Sequence, residues 1–244
     1  MDQIPITIGI PLYPNFDSLD VLGAFQTFSV QPSLKPMLLA ETTEPVTSWE
    51  GVEITPHDCF DNIKSLDVLF VPGGTHLEEV LGMKAPDDNP LLAFLRRIAA
   101  ADEAPRLVTS VCTGALFLGA AGLLRGYRAT THWNYKSILA MFPGVTVADG
   151  FPRFVIDANR VTGGGISSTM DESMAIVSLL LGPDAAKQGQ LTIQYAPEPP
   201  FQSGDPSQAD PVVMFEVSSN MHQGVSQTAA KFREYIEKWG SAEN

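Results

Sequence analysis

One cysteine in this chain sits where its type and neighbours suit nucleophilic chemistry. In "LVTSVCTGALFLGAAGLL", residues 107–124, Cys112 follows a run of strand formers and precedes a run of helix formers. A sulfur on such a turn faces the N-terminus of the next helix, whose unpaired N–H groups favour an anion, so its thiol pKa is expected to fall. A sharp strand-to-helix turn also pushes the side chain out of the layer, and Gly114 permits close packing there. The same turn aims the Thr113 backbone N–H at an atom that develops charge on a substrate. Burial as a small apolar residue is the alternative reading of Cys112.

Three further segments carry chemistry-bearing residues. "FVPGGTHLEEVL", 70–81, ends a buried strand in two glycines, and Gly73 and Gly74 can bring backbone N–H groups to a ligand and complete an anion hole with Thr113. "YPNFDSLDVLG" places Asp17 and Asp20 at a helix start, where carboxylates commonly cap. If the first strand neighbours the strand carrying Cys112, one of these carboxyls reaches the sulfur, and partial burial would let it hold a transferable proton. His132 in "ATTHWNY" is either a base for the thiol or a polar residue at a strand end. Cys59, in "TPHDCFDNI", shows no strand-to-helix pattern and reads as structural. The four histidines are scattered and no CxxC or HExxH occurs, so no metal site and no cofactor are expected.

The elements that must position these residues follow from hydrophobic patterning. Apolar runs at 6–13, 66–74, 106–112 and 154–165 alternate with helical spacing, which predicts an α/β class fold with a mainly parallel sheet sandwiched by helices. Helices are expected after Ser18, over 89–105, from Cys112 onward, over 170–182 with a Gly182–Pro183 stop, and over 222–240. A Pro-rich connection spans 196–211. The organisation expected is one α/β domain over 1–195, then 196–244 as the connection and a helix packing on the same or a partner subunit.

The 244 residues, 44% of them hydrophobic, suffice for one substantial core. A formal charge of -13 without a Lys or Arg cluster argues against nucleic acid and anionic membrane as partners. No apolar stretch is long and clean enough to span a bilayer, and no basic start with a long apolar run marks a secretory signal. With two cysteines only, a reducing, cytoplasmic location is expected.

Taken together, Asp17 after the first strand, "VPGG" (71–74), "SVCTGA" (110–115) and "ATTHW" (129–133) resemble the ThiJ/PfpI superfamily, over roughly residues 4–195. That resemblance implies a flavodoxin-like, class I glutamine amidotransferase-like fold. "YPNFDSLDVLGAFQTF" and "VCTGALFLGAAGLLRGYRATTHW" are most similar to isonitrile hydratases, and similar too to sensor domains of AraC-type regulators. Such regulators continue into paired helix-turn-helix units, whereas only residues 196–244, Pro-rich and acidic, follow Tyr195 here.

The resemblance implies Cys112 as nucleophile, Asp17 as partner carboxyl, Thr113 assisting by hydroxyl or N–H, and Gly74 as a second backbone donor. Many superfamily proteases carry His directly after the nucleophile, and Thr113 stands there instead, which favours an Asp-assisted thiol. The expected substrate is a small apolar isonitrile in a pocket with Phe151, Ile166 and Trp133, bordered by "GGGISSTM" (163–170) and His132. A homodimer is also expected. Rival readings are another cysteine-dependent hydrolase, a glyoxalase-type enzyme, and a non-catalytic ligand or redox sensor.

Overall fold

In the computed structural model, residues 4–240 are described. Seven strands build the main sheet: β1 Ile6–Pro11, β2 Leu34–Ala40, β3 Asp58–Cys59, β4 Val68–Val71, β5 Leu107–Ser110, β6 Phe154–Asp157 and β7 Arg160–Gly163. Their order is β6-β7-β5-β4-β1-β2-β3. Every neighbouring pair is parallel except β6 and β7, which form an antiparallel hairpin at one edge. Strands β4 and β5 are buried along their whole length, which is why they read as unbroken apolar runs.

The helices are α1 Ser18–Ser29, α2 Leu77–Leu81, α3 Pro90–Ala99, α4 Gly114–Ala120, α5 Lys136–Leu139, α6 Ser168–Leu181, α7 Pro183–Thr192 and α8 Pro211–Trp239. The path from β1 to β2 runs across the sheet in the direction opposite to the path from β4 to β5. Right-handed crossovers therefore put α1 on one face and α3 and α4 on the other. Asn89 caps α3 by accepting from the Leu92 N–H, with Pro90 in its first turn. Phe28 meets Phe70 edge-on and Phe60 stacks on Phe94, anchoring α1 and α3 to the sheet region.

Four features depart from the sequence reading. The run 154–165 is two strands rather than one, turned at Ala158 with a φ of 50°. Strand β2 was not marked by patterning, because Pro36 lies within it, paired in register with Ile8. Cys59 does lie on a strand that runs into a short 3-10 turn, Phe60–Asn62, but at the sheet edge and half-buried. The last helix starts at Pro211 instead of 222, capped by Asp210 accepting from Val212 N–H.

Helix α8 divides into two unlike halves. Near its end Phe232 and Tyr235 are buried, with Phe232 against Phe117 and Phe142, and Thr228 Oγ1 donates to Glu78 Oε2 at 2.9 Å. Near its start Val212, Val213, Phe215 and Val217 are exposed. Among the described residues, no helix is long and apolar enough to cross a membrane.

Candidate active site

Strands β1 and β4 are neighbours, yet the chain leaves them toward opposite sides of the sheet. Such a switch point opens a crevice at the carboxyl ends of the strands, where α/β sheets bind ligands. Three loops meet there: residues 12–17 after β1, Pro72–Gly74 after β4, and Val111–Thr113 after β5. The first two are stitched together, with Asp17 N–H donating to Gly73 O at 2.9 Å and Thr75 N–H to Asn15 O at 3.0 Å. Gly73 is required by space: a Cβ there would come within 2.7 Å of Cys112 Cβ and 2.8 Å of Asp20 Oδ2. A Cβ on Gly114 would fall 2.3 Å from Val71 O, so that glycine lets the third loop close onto the second.

Cys112 has a φ of 53°, a left-handed conformation that a non-glycine residue holds only when its surroundings over-determine it. This turn directs the sulfur at the β1 loop, where Sγ lies 3.7 Å from Asp17 Oδ2. Ligand atoms of Asp17, Asp20 and Cys112 all lie within 4.8 Å of one another, and all three residues are buried. The Asp17 carboxyl is pushed up to about 6, chiefly by burial and then by the charge of Glu50, against hydrogen bonds from Cys112 and the Trp49 indole. Asp20 is raised well above the usual carboxylate range by burial and by Asp17.

The thiol departs from its expected state. Burial, then the charges of Asp20 and Asp17, push Cys112 well above an ordinary thiol, while the Thr113 N–H at the sulfur pulls the other way. A short helix end does not outweigh desolvation beside two carboxyls. The resting nucleophile is consequently a protonated thiol whose proton is shared with Asp17.

The two glycine N–H groups are also not free for a ligand. Gly73 N–H donates to Asp20 Oδ2 at 2.8 Å, and Gly74 N–H donates to Thr113 Oγ1 at 2.9 Å. The Thr113 hydroxyl in turn donates to Gly74 O at 2.9 Å, so it locks the β4 and β5 loops together. An anion hole including Gly73 and Gly74 is therefore not present in this arrangement. The N–H of Thr113 is the backbone donor at the sulfur.

Patterning did not bring out several neighbours of the site. Tyr13 is buried and its hydroxyl donates to Pro72 O at 2.7 Å, fixing the β4 loop. Thr169 Oγ1 gives its proton to Ile166 O at 2.7 Å, so its 3.3 Å contact with Asp20 Oδ1 suits a protonated Asp20 donating to the hydroxyl oxygen. Glu172, one turn along α6, is fully buried with both oxygens lacking a hydrogen-bond partner. Burial and Asp20 raise it well above the usual range. Tyr135 is pushed up to about 12 by burial, with Cys112 the next cause. All four reach the site from distant segments, so no local motif announces them.

His132 is a wall residue and not a partner of the sulfur in the bonds observed. Its Nδ1 accepts from Asn134 N–H at 3.3 Å, and burial lowers its pKa to about 4, which keeps it neutral. Together with Trp133, Phe151, Ile166 and Met170 it lines a cavity of about 1100 Å³, whose far side is the Pro-rich segment with Pro197 and Phe201. Cys112 is not in the cavity wall itself. Thr131, which is, donates through Oγ1 to Cys112 O at 2.7 Å, so the sulfur's turn lies directly behind the lining.

This arrangement suits a small molecule attacked by sulfur while a neighbouring carboxyl relays one proton. The residues 7–179 match the pattern of the DJ-1/PfpI family. An isonitrile hydratase from Pseudomonas putida is 40% identical over 211 residues, 86% of this chain and 88% of the relative. The HTH-type transcriptional regulator GbdR from Pseudomonas aeruginosa is 29% identical over 180 residues, 71% of this chain but 46% of the regulator. Among solved structures, a ThiJ/PfpI family protein from Pseudomonas syringae superposes with a TM-score of 0.85 at 32% identity, covering 95% of this chain and 94% of that one.

Proposed function

The chain belongs to the DJ-1/PfpI family, and from that premise we propose that it is an isonitrile hydratase, converting R–N≡C and water to an N-substituted formamide. The observation that carries the reading is the thiol–carboxyl pair, Cys112 Sγ 3.7 Å from Asp17 Oδ2, with no histidine in hydrogen-bond contact with the sulfur. The 40% identical hydratase of Pseudomonas putida supports the choice of reaction. The apolar part of the cavity lining, with Trp133, Phe151 and Ile166, supports an uncharged substrate.

The reaction runs on one proton passed between two groups. Asp17 takes the thiol proton as sulfur attacks the electrophilic isonitrile carbon, forming the S–C bond and leaving an electron pair on that carbon. Asp17 returns the proton to the carbon, giving a thioimidate, R–N=CH–S. The ionised Asp17 then draws a proton from water as its oxygen adds to the same carbon, and nitrogen takes up that proton. Collapse breaks the C–S bond, gives R–NH–CHO and returns a proton to the sulfur. Thr113 assists by directing its N–H at the sulfur and by locking the Gly74 loop. His132 and Ile166 contribute substrate contacts, and Gly73 and Gly74 hold Asp20 and Thr113 in place.

The same proposal takes residues 1–195 as the catalytic unit and 196–244 as an arm that closes the cavity and joins a second copy in a homodimer. The exposed Val213 and Phe215 at the start of α8 support that pairing. Two free cysteines support a reducing compartment such as the cytoplasm.

Incubation with cyclohexyl isonitrile, with formamide followed by proton NMR, tests the reading. Wild type turns over, Cys112→Ala does not, and Asp17→Asn falls by about a hundredfold or more while keeping its fold. An inactive wild type, or a Cys112→Ala variant of undiminished rate, sinks it.

A further inference from the structure

Asp17 occupies the N-cap position of α1, with extended backbone angles of -79° and 121°. An aspartate there ordinarily turns its carboxylate back to accept from the first N–H groups of its own helix. This one makes no such bond. The bonds are made instead by Glu50, thirty-two residues away: Ser18 N–H donates to Glu50 Oε1 at 3.2 Å, and Ser18 Oγ donates to the same oxygen at 3.0 Å. The loop that delivers Glu50 is a tight turn between two short strands, Val46–Thr47 and Glu53–Ile54, with Gly51 at a φ of 90°. It is tied to the site by Trp49 N–H donating to Phe16 O at 3.1 Å, one residue before Asp17. The Trp49 indole additionally hydrogen-bonds the Asp17 carboxyl.

The geometry points to Glu50 as a positioning residue, which caps α1 in place of Asp17, leaves the Asp17 carboxyl free to face Cys112, and strengthens its hold on a proton by placing a second negative charge beside it. This rests on the reading of Cys112 and Asp17 as the reacting pair. Glu50 is ionised where Asp17 titrates: burial pushes it up, but bonds from Ser48, its own N–H and Ser18 outweigh that and leave it below an ordinary glutamate. The other charged or titratable groups facing Asp17 are Asp20 on α1, Cys112 on the β5 loop, Tyr13 after β1, and Tyr135 before α5. None of these changes when residue 50 is altered, so a charge series at that position isolates one cause.

Wild type, Glu50→Gln and Glu50→Lys would be titrated with carbon-13-labelled aspartate, following the side-chain carboxyl resonance that Asp17→Asn removes. Glutamine keeps an oxygen to accept from Ser18 and loses only the charge; lysine reverses it. The midpoint is expected to fall by roughly half a pH unit in Glu50→Gln and by roughly one in Glu50→Lys. Capping alone gives no such ladder, since the glutamine variant caps as the wild type does. A Glu50→Gln midpoint within about 0.2 of wild type, or a Glu50→Lys midpoint no lower than that of Glu50→Gln, overturns the inference. The titration needs no turnover, so an inactive wild type removes the hydratase reading while the ladder still judges Glu50. An active wild type with unmoved midpoints removes Glu50 alone.

Discussion

A thiol with raised proton affinity beside a carboxyl at about 6 makes one proton, not a preformed thiolate, the currency of this site. The hydratase reading then predicts the acid limb of the rate profile. Below about 6 Asp17 is protonated in the free enzyme and cannot take the thiol proton, so kcat/KM falls tenfold per pH unit, with the inflection near 6. The same shift affects stability with a definite sign. The folded state binds this proton more tightly than the unfolded chain, whose carboxyl lies at 3.8, so stability present below 3.8 is lost as pH rises toward 6. Asp17→Asn should therefore unfold later than wild type above pH 6, by about 1–2 kcal/mol, and match it in strong acid, as urea titrations at both pH values would read. Sequence made Cys112 and Asp17 legible because strand, turn and helix are local signals. It misjudged the proton because burial and the charges of Asp20 and Glu50 come from segments far apart in the chain.

Helix α6 carries the next consequence of burial. Its first turn puts Thr169 against Asp20, and its second puts Glu172 against Gly163, where a Cβ would lie only 2.2 Å from the carboxyl oxygen. A carboxyl with raised proton affinity and no hydrogen-bond partner opposes folding increasingly as pH rises above its ordinary value of 4.5. Glu172→Gln cannot ionise, so its stability advantage should widen from pH 4 to pH 8 by at least about 1 kcal/mol; a gap that stays constant with pH would show that this carboxyl remains charged in the fold. Elements with plain periodicity, such as β4, β5 and α6, were readable from sequence. Strand β2 was masked by Pro36, and the 154–163 hairpin by a turn at Ala158, which lacks the usual glycine or asparagine signal.

At the scale of the molecule, alternating apolar runs sufficed for the layered α/β class, because a buried parallel sheet demands them. The reach of α8 was less legible: its start at Pro211 adds a half whose valines and Phe215 face outward, a pattern that looks polar when averaged over the helix. The homodimer proposal makes that half its contact. Light scattering should give about twice the 26.3 kDa chain mass, and Phe215→Glu with Val213→Glu should return the monomer. The acidic exterior, with a formal charge of -13, has a kinetic meaning as well. A neutral reactant feels little of that field and arrives by plain diffusion, indifferent to ionic strength, whereas an anion of the same shape is slowed in dilute buffer and released by salt. The surface thus filters by charge before the cavity sorts by fit.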